Sequence, residues 1–119
     1  MTRSAADHLA DVLEAIKAIE GYTKPGRQAF ERDPMMRDAV AARLMQIGQA
    51  VKDAQGEGLE LSRLQPTVPW RNIAGMRDRL VHKYRLMDIE IVWGVVENEL
   101  PKLRSAVEAL LKSQGRRAR

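Results

Sequence analysis

Residues 68–84 read VPWRNIAGMRDRLVHKY. Pro69 opens a helix that runs to about His82, because a proline is tolerated where the first helical N–H has no partner anyway. Ile73, Met76 and Leu80, with Val81 at the edge, give this helix one apolar side, and Trp70 anchors its start. The other positions carry Arg71, Arg77, Asp78, Arg79, His82, Lys83 and Tyr84. A core helix with this much charge on its free side either ends a bundle as a solvated basic face or carries chemistry.

The flanking sequence is helical in both directions. Upstream, residues 4–21 place Leu9, Val12, Leu13, Ile16 and Ile19 at three-and-four spacing, with Ser4 as N-cap and Gly21 as stop. Thr23-Lys24-Pro25-Gly26 turns the chain into a short helical piece through Phe30. Asp33-Pro34 starts a longer helix reaching about Glu57, with Met36, Val40, Leu44, Ile47 and Val51 as its stripe. Ala41, Ala42, Gly48 and Ala50 are small enough to admit a neighbouring backbone. Gly48 costs a helix interior about 1 kcal/mol relative to Ala, so a packing reason is expected for it. Gly56 and Gly58 end the helix, and a loop runs from about Leu59 to Val68.

Downstream, Asp88 is an N-cap with Glu90 in the first turn. Ile89, Val92, Trp93, Val96, Leu100, Leu103, Val107, Leu110 and Leu111 form a long stripe. Pro101 should kink or split this helix by removing one ladder bond. No segment alternates like a strand, and the expected fold is an all-α bundle of four main helices plus a short one. Leu86, Met87, Ile91 and Val95 are apolar beyond the main stripe. The bundle could bury them, or a second copy of the chain could.

A chain of 119 residues is one domain, here assigned to 1–114 with a basic tail over 115–119. It has no cysteine, which excludes a disulfide framework and a thiolate metal site. No stretch has the ~20 apolar residues of a membrane span, and the polar N-terminus lacks a signal-peptide core, so a cytoplasmic protein is expected. Residues 1–60 hold 8 Lys+Arg against 10 Asp+Glu, whereas residues 61–119 hold 12 against 6. The second half therefore faces a polyanion or an acidic partner, or is simply a solvated basic face. With 4% aromatic residues, RNA would have to be held through phosphates rather than stacked bases.

The cluster narrows the chemistry. There is no Gly-rich phosphate loop and no acidic trio at metal-ligand spacing, so neither a metal nor a cofactor is expected. Of the two imidazoles, His8 is read as a surface residue of the first helix. At about 100° per residue, Asp78 and His82 share a face one turn apart, and Arg79 lies within about 60° of His82. A carboxylate there can accept an imidazole N–H and fix its orientation. Arg77 lies about 140° round from His82, and Tyr84 about 160° off on the other side. One straight helix cannot aim all three at one point: either it ends near His82 and turns, or a second protomer completes the site. Such a set can cleave an RNA phosphodiester without metal. The imidazole would move the 2′-hydroxyl or leaving-group proton, and a guanidinium would hold the phosphate.

Arg77-Asp78-Arg79-Leu80-Val81-His82-Lys83-Tyr84 resembles the R-x4-H-x-Y signature of HepT-like toxins, helical RNases of the HEPN superfamily. The resemblance extends through HLADVLEAIKAIEGYT, IGQAVK at 47–52, residues 68–84 and DIEIVWGVVENELPKL at 88–103. It implies a HEPN-like, up-and-down four-helix bundle and a metal-independent endoribonuclease acting on tRNA or mRNA. It also implies a homodimer with the motifs of both chains in one cleft. Arg77 would bind phosphate, His82 transfer protons and Asp78 orient or hydrogen-bond, with Arg79, Lys83 and Arg71 as further RNA-binding cations. The family is paired with a minimal nucleotidyltransferase antitoxin that adds AMP to the motif tyrosine, here Tyr84. Phosphates planted there would compete with RNA for the same cations. One departure is Gln49, where IGEA is usual. The competing readings are a helical dimer that binds RNA or the nucleotidyltransferase without turnover, and a plain structural bundle.

Overall fold

A computed structural model describes residues 3–83 and 88–117 of the chain, without the side chains of residues 81–83 and 115–117. Tyr84, Leu86, Met87 and the side chains of His82 and Lys83, on which several expectations rest, lie outside the described residues. Among the described residues every regular element is helical: α1 (Ala5–Tyr22), α2 (Arg27–Arg32), α3 (Pro34–Gly56), α4 (Leu61–Leu64), α5 (Trp70–Lys83), α6 (Ile89–Gly94), a π-helical turn (Val95–Glu99) and α7 (Leu100–Arg117). The all-α bundle is as expected. Its four main helices are α1, α3, α5 and the composite α6–α7, with α2 as the short piece. α7 continues to Arg117, into the stretch assigned to a tail.

Local signals set the helix starts. The Ser4 hydroxyl accepts from the Asp7 N–H at 3.1 Å while the Asp7 carboxylate accepts from the Ser4 N–H at 2.9 Å. This reciprocal box satisfies two end donors that would otherwise lack partners. Asp33 accepts from the N–H groups of Met35 and Met36, with Pro34 at the first position of α3. Asp88 accepts from the Glu90 N–H at 2.8 Å. Trp70 is buried at the start of α5, its indole N–H donating to the Gln65 carbonyl at 2.9 Å. α4 was not foreseen. Its single turn between Gly58 and Pro66 is too short for a periodic pattern, and what holds it is the burial of Leu61.

The last helix divides as Pro101 requires, but by a π-helical turn rather than a simple kink. Pro101 has no N–H for the carbonyl four residues back, and its ring crowds that carbonyl. The widened turn just before it takes up the misfit, and the Leu100 N–H donates to the Val95 carbonyl, five residues away. Trp93 packs on Phe30 at 5.2 Å between ring centroids, which ties this segment to α2.

One close approach places α5 on α3. A Cβ built on Gly48 would lie 3.0 Å from the Arg77 amide nitrogen and 3.0 Å from the Ile73 carbonyl oxygen, both backbone atoms. This is the packing reason expected for Gly48. Of the small residues on α3, Ala41 and Ala50 are buried, whereas Ala42 is exposed. Gly48→Ala adds helix propensity of about 1 kcal/mol but drives a methyl into a backbone that cannot rotate away, an overpacking cost of about 1–3 kcal/mol. The variant should be destabilised by up to about 2 kcal/mol in urea unfolding; a more stable variant would show that α5 can move off α3 at little cost.

Candidate active site

Among the described side chains of α5, Arg77 and Asp78 form one charged group and Arg79 stands in another. Ile73, Met76 and Leu80 are buried against the bundle, while Arg71, Arg77, Asp78 and Arg79 remain exposed. The first group is centred on Asp78. Its carboxylate divides between two cations, with Lys52 Nζ 3.1 Å from Oδ2 and Arg77 Nη1 3.3 Å from Oδ1. Lys52 comes from α3, one turn beyond Gly48, so the helix contact that brings in the Arg77 backbone also brings in this ammonium. The hydrogen bond and charge of Lys52, with a smaller contribution from Arg77, hold the Asp78 carboxyl below the usual carboxylate range.

Arg79 belongs to the other group. It lies about 200° round α5 from Arg77, donates to the Asn72 carbonyl at 2.9 Å, and lines an apolar groove with Leu44, Met76, Ile91 and Val95. Ile91 is 63% exposed there whereas Val95 is partly buried against the core, so the bundle takes up only part of the excess apolar surface of this segment. The structure therefore brings Arg77 and Asp78 together and sets Arg79 apart, with Arg71 exposed on the first turn of α5. His82 and Lys83 are placed only by their backbone, still helical within α5, and Tyr84 lies outside the described residues. Sequence reading missed Lys52, since no angular count within α5 can find a partner 26 residues away on another helix.

His8 also differs from expectation. It is half-buried and lines a polar cleft of about 440 Å³ between α1 and α3, with Arg3, Asp11, Arg43, Gln49 and Asp53 among its walls. Position 8 sits at the border where α1 closes on α3 rather than on the free face. Gln49 donates to Asp53 at 2.9 Å within α3, so the amide is held on that cleft, which no α5 residue lines. Among the described residues, no three His, Asp or Glu side chains are grouped to share a metal ion. Nor is any described helix long and apolar enough to cross a membrane.

Residues 12–110, which span α1 to α7 and contain this whole arrangement, match the family model described as "Ribonuclease HepT-like". The chain belongs to the HepT-like ribonuclease family. A protein of Thermococcus cleftensis named "Probable ribonuclease HepT" is 37% identical over 113 residues, 94% of this chain and 100% of that one. A "Putative RNase" of Caldanaerobacter subterraneus is 36% identical over 85 residues, covering 71% of this chain and 73% of that one. Another "Putative RNase", from Methanocaldococcus jannaschii, is 32% identical over 107 residues, covering 89% and 95%. No solved structure matches the chain at a significant level. Family and fold together make this HepT-like protein an all-α HEPN-like bundle and a ribonuclease.

The direction of the Asp78 shift fixes when its contacts exist. A carboxyl with a depressed folded pKa contributes its stabilisation above the unfolded value of about 3.9 and loses it only as pH falls through the lower folded value. The link between Lys52, Asp78 and Arg77 is therefore intact throughout the neutral range. A carboxyl-carbon NMR titration should place the Asp78 midpoint below that of an ordinary aspartate, and Lys52→Met should raise it. A midpoint at or above the ordinary value in the wild type would remove the ion pair from solution.

Proposed function

We propose that this HepT-like protein is a metal-independent endoribonuclease toxin of the cytoplasm, working as a homodimer with the motifs of two copies in one cleft. The observation that carries the reading is the exposed Arg77 guanidinium, held by Asp78 five residues ahead of His82 on a helix whose backbone runs unbroken through both positions. In this reading Arg77 holds the scissile phosphate of a tRNA or mRNA. The His82 imidazole takes the 2′-hydroxyl proton, the 2′-oxygen bonds to phosphorus, and the bond to the 5′-oxygen breaks. The departing oxygen then receives a proton. Products are a 2′,3′-cyclic phosphate and a 5′-hydroxyl, with no external reactant. Arg77 stabilises the charge that accumulates on the pentavalent phosphorus, where a guanidinium acts more strongly than on the ground state. Arg71, Arg79 and Lys83 supply phosphate contacts along the flanking strand, consistent with the basic second half of the chain.

A nucleotidyltransferase antitoxin would silence this site by joining the Tyr84 hydroxyl oxygen to the α-phosphorus of ATP, releasing pyrophosphate. The added phosphate would lie two residues from His82 and compete with RNA for the same cations. The supports are the intact R-x4-H-x-Y spacing and the family membership.

Purified wild type, incubated with total tRNA and mRNA in EDTA, should cleave RNA. His82→Ala and Arg77→Ala should each lower the rate by about a hundredfold or more while unfolding like the wild type. Cleavage retained by His82→Ala would sink the proton-transfer role, and salt-sensitive RNA binding without product from any form would favour the non-catalytic dimer. Tyr84 is tested separately: with an active nucleotidyltransferase and ATP, mass spectrometry should find AMP on the Tyr84 peptide, and an unmodified peptide would reject that part.

A further inference from the structure

We propose that Lys52, on α3, is a positioning residue for Arg77: through the shared carboxylate of Asp78 it draws the guanidinium round α5 toward the side on which His82 stands. The inference rests on the ribonuclease reading above for its chemistry, but its geometry is independent of it. Adjacent helical residues leave the axis about 100° apart, so Arg77 and Asp78 do not face each other by default. An exposed pair of this kind is weakly held. Here the carboxylate is held by a second cation as well, Oδ2 by Lys52 at 3.1 Å and Oδ1 by Arg77 at 3.3 Å. The grip has a firm base, because Lys52 stands one turn from Gly48, where the backbones of α3 and α5 touch.

Direction and charge both argue for a role in the reaction. Round α5, Asp78 is about 100° from Arg77 and position 82 about 140°, both in the same sense. Leaning onto Asp78 therefore turns Arg77 in the sense of position 82, from the phosphate-holding position toward the proton-transfer position. A carboxylate acting alone would achieve this only by neutralising the arginine. With the Lys52 ammonium on its other oxygen, the three groups keep a net positive charge, and the site still attracts a phosphate. Fixing a long side chain before substrate arrives removes an ordering cost from the reaction step.

The test uses full-length wild type, Lys52→Met, Lys52→Arg, Asp78→Asn and the Lys52→Met/Asp78→Asn double variant, on an RNA that the wild type cleaves. Lys52→Met should lower kcat by about tenfold with KM changed less than about twofold, and Lys52→Arg should recover most of the loss. If Lys52 acts through Asp78, the double variant should be no slower than Asp78→Asn alone. An unchanged kcat in Lys52→Met would overturn the proposal. So would a raised KM with multiplicative losses in the double variant, which would make Lys52 a direct RNA contact. A second readout needs no turnover: the heteronuclear NOE at the Arg77 side-chain Nε should be high in wild type and fall in Lys52→Met and Asp78→Asn. Equal values in all three overturn the positioning role even if RNA is cleaved. An ordered Arg77 that loosens in both variants upholds it even if the wild type cleaves nothing and the ribonuclease reading fails.

Discussion

The site depends on an absent side chain. Gly48 lets the α3 backbone reach the Ile73 carbonyl and the Arg77 amide on α5, a closer approach than helices carrying larger residues at the contact allow. The helix-propensity cost of a glycine there, about 1 kcal/mol, is offset by the burial around it, with Leu44, Ile47 and Val51 on α3 and Ile73 and Met76 on α5 withdrawn from water. The same contact sets the separation between Lys52 and Asp78. Were α5 to stand off by the width of a methyl group, the 3.1 Å ion pair would open and Asp78 would be left with Arg77 alone. Packing and electrostatics in this bundle are therefore one constraint.

What could be read from the sequence was local. Ser4, Asp33-Pro34 and Asp88 each start a helix through an oxygen that reaches backbone donors two or three residues on, a distance the sequence states directly. Pro101 announced a break in the last helix because its missing N–H is a covalent fact, although the π form of the break was not legible. Buried positions followed from three-and-four spacing. Relations between helices were not legible in the same way. Gly48 could be marked as needing a neighbour, but not which one. Asp78 could be matched to His82 by counting round one helix, whereas its described partners are Arg77 beside it and Lys52 across the α3 contact. His8 was taken for a free-face residue because a helical count does not show how far α1 turns toward α3.

Charge on α5 is sorted rather than spread. Arg77 and Arg79 are two residues apart, yet one joins a carboxylate and a lysine while the other bonds a carbonyl beside an apolar groove. A solvated basic face would not require this division. Its residues would be interchangeable, each keeping its own hydration shell. Among the described side chains of α5, it is at Arg77 and Asp78 that opposite charges from two helices converge, and Arg77 is the position from which the family motif counts to its histidine.

α5 is helical through position 82 and ends at Lys83, so Arg77 and position 82 keep the angular separation that the helical count gives them. Under the proposed function the alignment has two separate sources. Within a chain, Asp78 turns Arg77 in the sense of position 82, which stands about 40° further round the helix and about 6 Å along the axis from Asp78, a step a phosphodiester can span. Between chains, the second copy adds its own cations to the flanking phosphates, which a single guanidinium on a 14-residue helix cannot reach. Grip on the strand and aim at the bond then come from different places. That separation is why a group as remote in sequence as Lys52 can govern the aim and leave the grip unaltered.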